Sequence, residues 1–414
     1  MTDGRPIIFL HIGAMKTGTT FLQSVMLRNK EHLAAAGYLF PGDTWAQQVR
    51  AVQDITDGTG GDPKVQAEAA GAWDAMAAQM LDHPGHASIL SMEFLSFARE
   101  KHVKRVVTSL GATEVHVVLT VRDTTDTIPA QWQTRVHNGS TMSWPEFMAG
   151  VRKAAGPAGS LGRFSTKAAL SAFKRAQDIG NILGAWGRHV PPERLHVVTV
   201  PPSGSERGLL WERFAGVLDL DPGVCSEPPA RANESLGYAS TELLRRVNEE
   251  VGRLRPSDYT PTLKEYLALG VLSQRSREES RARIDRATCE FGLAWNERVR
   301  KAIVGAGAVL AGDLEDLPTT FSESHVRNVD DAQVPPTDGE ILSAAGTAVE
   351  AMHRLVVRRA RRLRKRGAAV DLDVDGVSAA ADAWSASDDP VAAAVGDIAE
   401  LARTAVDLRR RLRA

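Results

Sequence analysis

The chain is poor in cysteine: only Cys225 and Cys289 occur in 414 residues, and they lie in different segments. That excludes a disulfide framework and a cysteine-rich metal centre, and it fits a reducing compartment. It lacks any run of the roughly 18 apolar residues that a membrane-spanning helix needs. It lacks a signal-like leader as well, because the first apolar run, residues 7–12, is too short and no basic segment precedes it. Charge of one sign is not in excess. Fifty Lys and Arg face 51 Asp and Glu, a formal net charge of −1. No global field therefore draws the chain to nucleic acid or to an acidic membrane, and any anion site has to be built locally. These absences lead to the expectation of a cytoplasmic protein. Hydrophobic residues at 43% and charged residues at 24% are normal for a globular chain. The length leaves room for two or three domains.

What is present is organised around residues 7–23, IIFLHIGAMKTGTTFLQ. A short β-rich run, Ile7 to Ile12, leads into a glycine-bounded turn, Gly13-Ala14-Met15-Lys16-Thr17-Gly18-Thr19-Thr20. Phe21, Leu22, Val25 and Met26 then recur at helical spacing. The pattern is strand, tight turn, helix. Backbone N–H groups at such a helix start point into the turn, and the helix dipole favours negative charge there. Lys16 and the hydroxyls of Thr17, Thr19 and Thr20 complete a cradle for a phosphate or sulfate.

Further strands are expected at 87–92, 114–121 and 195–200, alternating with helical stretches, including one from Thr19 to Ala36 and one over 65–81. Strands alternating with helices give a parallel sheet covered on both faces, and ligands bind beyond the carboxyl ends of its strands. Lys16, Glu93 and Arg122 each follow the carboxyl end of an expected strand, so the three should share one crevice. The glycine- and serine-rich stretch 154–167 reads as a candidate mobile loop or lid that helps choose the acceptor. After Pro228-Pro229 the strands are expected to stop. Helices are read at 240–251, 262–273, 278–290 and 292–310. The division is an α/β unit over 1–322, a linker over 323–338 and a helical C-terminal extension over 339–414, its two helices separated at 371–376.

The turn is not the common nucleoside-triphosphate loop, in which lysine follows the second glycine. Here Lys16 precedes Gly18. The order Lys-Thr-Gly-Thr-Thr after a strand resembles the 5′-phosphosulfate loop of sulfotransferases, which use 3′-phosphoadenosine 5′-phosphosulfate (PAPS) as donor. The resemblance runs from Pro6 to about Pro318 and is nearest to the bacterial proteins of that family. It implies a P-loop-type α/β fold and transfer of a sulfuryl group to an acceptor hydroxyl or amine. It implies donor contacts from Lys16, Thr17, Gly18, Thr19 and Thr20, with Lys16 stabilising the leaving group. The family's second donor motif is an arginine at a strand end and a serine eight residues later, both on the 3′-phosphate. VVLTVRDTTDTIPAQW supplies Arg122, with Asp123 and Thr127 beside it, but the serine position holds Ala130. A replacement hydroxyl could come from Thr124, Thr125 or Thr127.

Glu93 is similar in placement to the glutamate that glycan-directed members use as base, where partial burial would raise its pKa towards working pH. The resemblance implies no metal requirement, and the sequence shows no acidic metal cluster. His11 reads as a structural histidine, His137 as a solvated cation at a helix end, and Trp132 as a core tryptophan rather than an adenine platform. In bacterial members a segment similar to Asn233-Glu234-Ser235-Leu236-Gly237 is common. The basic run from Arg358 to Arg366 suggests peripheral membrane contact more than nucleic acid, although flanking acids favour a solvated helix face. Glycan, lipid and secondary metabolite stay open as acceptors. The alternatives to transfer from PAPS are a catalytically silent nucleotide- or anion-binding scaffold and an ATP/Mg-dependent phosphotransferase.

Overall fold

Alternation in the first strand decides how the layers form. In β1, Ile7–Gly13, the side chains of Ile8, Leu10 and Ile12 feed one apolar cluster, while Phe9 between them feeds another on the opposite face. The computed structural model describes residues 7–58, 63–111, 113–153, 164–206, 208–227, 235–326, 329–331, 333–370 and 384–413. Five more strands follow: β2, Tyr38–Leu39; β3, Ala87–Ser91; β4, Glu114–Val121; β5, Leu195–Thr199; and β6, Val309–Ala311. They form one sheet in the order β2-β3-β1-β4-β5-β6. Every pairing is parallel. All five residues of β3 are buried, as a central strand covered on both faces requires.

The helices used below are α1, Thr19–Arg28; α2, Thr124–His137; α3, Phe164–Gln177; α4, Tyr238–Val251; α5, Thr260–Leu269; α6, Arg286–Gly305; α7, Asp338–Lys365; and α8, Pro390–Arg413. Helices lie against both faces of the sheet. The chain passes from β1 outward to β2, back to β3, and then crosses to β4 on the far side of β1. Such a change of direction leaves a crevice at the carboxyl ends of the central strands.

The fold is the expected α/β sheet with a helical C-terminal region, and several elements depart from the sequence reading. The first helix does not run from Thr19 to Ala36. It breaks at Asn29, whose amide binds the carbonyls of Val25 and Glu227 and whose Oδ1 accepts from Glu227 N. A side chain that bonds backbone in this way competes with helix continuation. The helix over 65–81 is divided at Gly71, which has a left-handed φ of 77°. Strands do not stop after Pro229, because β6 adds to the sheet edge beside β5. The two helices read at 278–290 and 292–310 are one, α6, started by Asp285, whose carboxylate accepts from Thr288 N. Of the loop read at 154–167, residues 154–163 lie outside the described ones, and 164–167 open α3. Residues 371–376, and Asn233 and Glu234 of the segment after the sheet, also lie outside them.

The stretch 323–338 is fastened to the body. Val329 pairs with Ile284, and the Gln333 amide bonds the backbone of Arg281 and Arg283. Helices α7 and α8 pack on each other and on α4, and their buried side chains belong to the same apolar cluster as one face of the sheet. Within the basic run Arg359 is buried, donating to Thr262 Oγ1 and Ala405 O, while Arg361, Arg362 and Lys365 are exposed. No helix among the described residues is long and apolar enough to cross a membrane.

Candidate functional site

The turn after β1 is held open by its own hydroxyls. Thr17 Oγ1 donates to Ala14 O at 2.6 Å and pairs with Thr120 Oγ1 at 2.6 Å, while Thr120 Oγ1 also bonds Gly13 O. Ala14 N donates to Thr120 O, and Gln177 at the end of α3 binds Met15 O. Thr17 and Thr19 are therefore buried supports of the loop, and Thr20 is exposed at its mouth. Gly18 is the residue before α1 and is left-handed, with φ 85°. No side chain caps α1 and no acid sits in its first turn, so its leading N–H groups are not engaged by the helix itself. That is the arrangement an anion needs. Lys16 has φ 66°, a backbone region that costs a non-glycine residue about 1–2 kcal/mol.

Glu93 follows β3 directly. A Cβ on Gly13 would stand 3.3 Å from Glu93 Cα, so turn and glutamate are in contact through a glycine. Burial raises the Glu93 carboxyl above the ordinary glutamate value. The charge of Lys16, the Thr19 hydroxyl and the charge of Lys264 pull it back without cancelling the rise. Burial lowers the Lys16 amine, and Glu93 opposes that fall. Arg122, at the end of β4, lies close enough for its charge to act on Lys16 as well, and its Nη2 donates to Asp126 Oδ2 at 2.8 Å. The ends of β3, β1 and β4, neighbours in the sheet, thus bring Glu93, Lys16 and Arg122 together.

The remaining residues singled out in the sequence have other places. Asp123 caps α2. It accepts from Thr125 N and Oγ1 and from Asn296 Nδ2. Burial disfavours its charge, but the His325 imidazole 3.8 Å away and the hydrogen bonds from Asn296 and Thr125 outweigh it, and the carboxyl lies below the usual value. Thr127 is buried, with its hydroxyl returned to Thr124 O inside the helix. Thr124 is buried too. Of the three threonines offered in place of serine, only Thr125 reaches the neighbouring cavity, with its hydroxyl on Asp123. Trp132 is core, fully buried, with Nε1 on Met142 O. His11 is fully buried between Ser91 and Thr120 and is pushed down to about 3 by burial.

His137 is not a solvated cation. Burial, with Lys16 and Lys264 nearby, pushes it down to about 4, and its Nε2 is buried without a partner. Lys264, from α5, bonds Asn138 Oδ1 at 2.8 Å and acts on Lys16, Glu93 and His137 together. Tyr259 and Asn248 staple this end of α2 by binding Val136 O. Sequence reading missed Lys264 because the helices after the sheet carry no motif, and only tertiary packing aims one at the turn.

Beside Arg122 opens a cavity of about 830 Å³, within the usual range for a small-molecule site. Its wall includes Arg122 and Ala130 from α2 and its start, Pro201 beyond β5, Arg281 and Arg283 from the extended segment before α6, and His325. Among the described residues, nothing pairs with the Arg281 guanidinium. No three His, Cys, Asp or Glu among the described residues are grouped as a metal ion would require. No protein-family model, curated protein or solved structure matches the chain.

Proposed function

We propose that the protein is a sulfotransferase of P-loop type that moves a sulfuryl group from PAPS to an acceptor hydroxyl or amine. One observation carries this reading: Lys16, Glu93 and Arg122 meet at the carboxyl ends of three adjacent strands, with Lys16 in a turn that feeds the uncapped start of α1. A cation, a row of amides and a half-buried carboxylate at neighbouring strand ends suit attack on a bound anionic donor.

In the proposed reaction the phosphosulfate lies on Lys16 and the leading amides of α1. The nucleotide fills the cavity beside Arg122, with Arg122 and Arg281 towards its 3′-phosphate. Guanidinium groups suit this task because they stay charged and bind phosphate oxygens in pairs. The acceptor oxygen or nitrogen attacks sulfur in line. Its proton passes to the Glu93 carboxylate, and the bond from sulfur to the bridging oxygen breaks with its electrons left on that oxygen. Lys16 faces the charge that develops there. Products are the sulfated acceptor and 3′,5′-ADP. Lys264 and His137, close enough to interact with Lys16, would flank the entering acceptor. The resemblance of Glu93 to the base of glycan-directed enzymes makes a glycan hydroxyl the first acceptor class to try, with lipids and secondary metabolites next.

The test is release of 3′,5′-ADP from PAPS in the presence of glycan, lipid and small-metabolite acceptors. Turnover should appear with at least one class. Glu93→Gln should abolish it, and Lys16→Ala should lower kcat/KM by about 10²–10³-fold, the usual cost of one charge-stabilising donor. Release of ADP from ATP and Mg²⁺, with none from PAPS, would instead make the protein a phosphotransferase.

A further inference from the structure

We propose that His325 supplies the hydrogen bond to the donor's 3′-phosphate that Ala130, in place of serine, cannot give. This rests on the donor reading above and adds to it a residue outside the sheet, in the stretch that the sequence offers as a linker.

His325 is 2% exposed and lies in the wall of the cavity that also contains Arg122 and Ala130. Its Nδ1 accepts from Ser322 N at 3.1 Å, which assigns the proton of the neutral ring to Nε2. Nε2 is buried and has no hydrogen-bond partner. The nearest acceptor, Asp123 Oδ2, is 3.8 Å away, an ion-pair distance too long for a hydrogen bond. A buried N–H without a partner is costly, and one in a cavity wall points to a ligand group that completes it.

The carboxylates of the same wall are already engaged. Asp126 binds Arg122, Asp316 binds Arg213 and Thr199, Glu315 binds Arg300, and Asp123 is held by Thr125 and Asn296. Against those engaged acids, the same wall offers the unpaired Arg281 guanidinium and the buried Nε2 of His325 to an anion. The Asp123 carboxylate raises the His325 imidazole above the ordinary histidine value, against the effect of burial, and Asp126 adds to the rise. The ring therefore carries its charge further towards neutral pH, where a phosphate monoester offers three strong acceptor oxygens.

The experiment compares dissociation constants of 3′,5′-ADP and 5′-AMP, which lacks the 3′-phosphate, in wild type, His325→Ala, His325→Gln and His325→Ala/Ala130→Ser. Loss of a charge-assisted bond predicts that His325→Ala weakens 3′,5′-ADP by about tenfold to a hundredfold and leaves 5′-AMP unchanged. His325→Gln should keep part of the preference, and Ala130→Ser should restore part of it in the His325→Ala background. In wild type the preference for 3′,5′-ADP should fall as pH rises through the raised histidine pKa. The variants should show only the titration of the phosphate itself, near pH 6. The groups that face His325 in this titration are Asp123, Asp126 and Ser322. An unchanged preference in a folded His325→Ala protein would overturn the assignment, and so would equal weakening of both nucleotides. Wild type that binds neither nucleotide would overturn the donor reading itself.

Discussion

Lys16 holds a strained left-handed backbone in the turn that meets the start of α1, and burial depresses its amine. Neither feature helps folding, and residues held this way are usually held for function. Lys16→Gly removes the left-handed penalty, and glycine gives back part of that gain through the unfolded chain. The melting temperature of Lys16→Gly should match or exceed that of wild type, while transfer from PAPS falls about as far as in Lys16→Ala. A large drop in melting temperature would assign the lysine to structure. Glu93 gives a second prediction at this scale. Its carboxyl is raised by burial, and a base must be ionised, so kcat/KM should fall on the acid side at a pH above the ordinary glutamate value. Lys264 holds that value down, so Lys264→Met should move the acid limb to still higher pH. A limb that stays in place would remove Lys264 from the site.

At the scale of elements, the unit that matters is strand, turn and helix. Gly18 is left-handed, and a Cβ there would meet Leu210 Cδ2 at 2.5 Å. Gly18→Ala should therefore lower stability by about 1–2 kcal/mol from the backbone alone, and by more if Leu210 cannot move. Urea unfolding measures this, and a midpoint equal to wild type would contradict it. This unit was legible in the sequence because its signals are local: a β-rich run, two glycines, and apolar spacing that changes to helical. The strand Glu114–Val121 was legible for the same reason, and its end fixed Arg122 in the crevice. What was not legible depends on distant partners. The short edge strand β6 reads as the continuation of a helix until β5 is beside it. Asn29 breaks the first helix only because Glu227, far along the chain, offers its backbone. Lys264, His137 and His325 carry no motif. They enter the site through the packing of α5 on α2 and the return of the chain after Pro318.

Across the whole molecule, the C-terminal helices complete one apolar cluster with the sheet, and they bury Ile341, Met352 and Ile398 in it. Four histidines held below the ordinary value make stability depend on pH. His11 is pushed down to about 3, His137 and His196 to about 4, and His102 is lowered as well, each chiefly by burial. In the unfolded chain they take up protons near pH 6.5. Between there and pH 4 the unfolded state binds protons that the native state does not, so stability falls as pH falls. Asp123, held below the usual value, adds to that loss at lower pH. His325 and Glu93, both raised, act in the opposite sense. The four depressed histidines outnumber them, so the urea midpoint should be lower at pH 5 than at pH 7. A higher midpoint at pH 5 would show that the imidazoles are not held neutral.

The claim that joins these scales is that the crevice at β1, β3 and β4 holds the nucleotide of a sulfuryl donor. Thermal unfolding with 3′,5′-ADP, and separately with ATP and Mg²⁺, on wild type and Lys16→Ala tests it most directly. A ligand at 100 times its dissociation constant stabilises the native state by about 2.7 kcal/mol. The expected result is an upward shift with 3′,5′-ADP that is lost in Lys16→Ala and has no counterpart with ATP and Mg²⁺. A shift with ATP and Mg²⁺ alone, or none with either, would contradict the account.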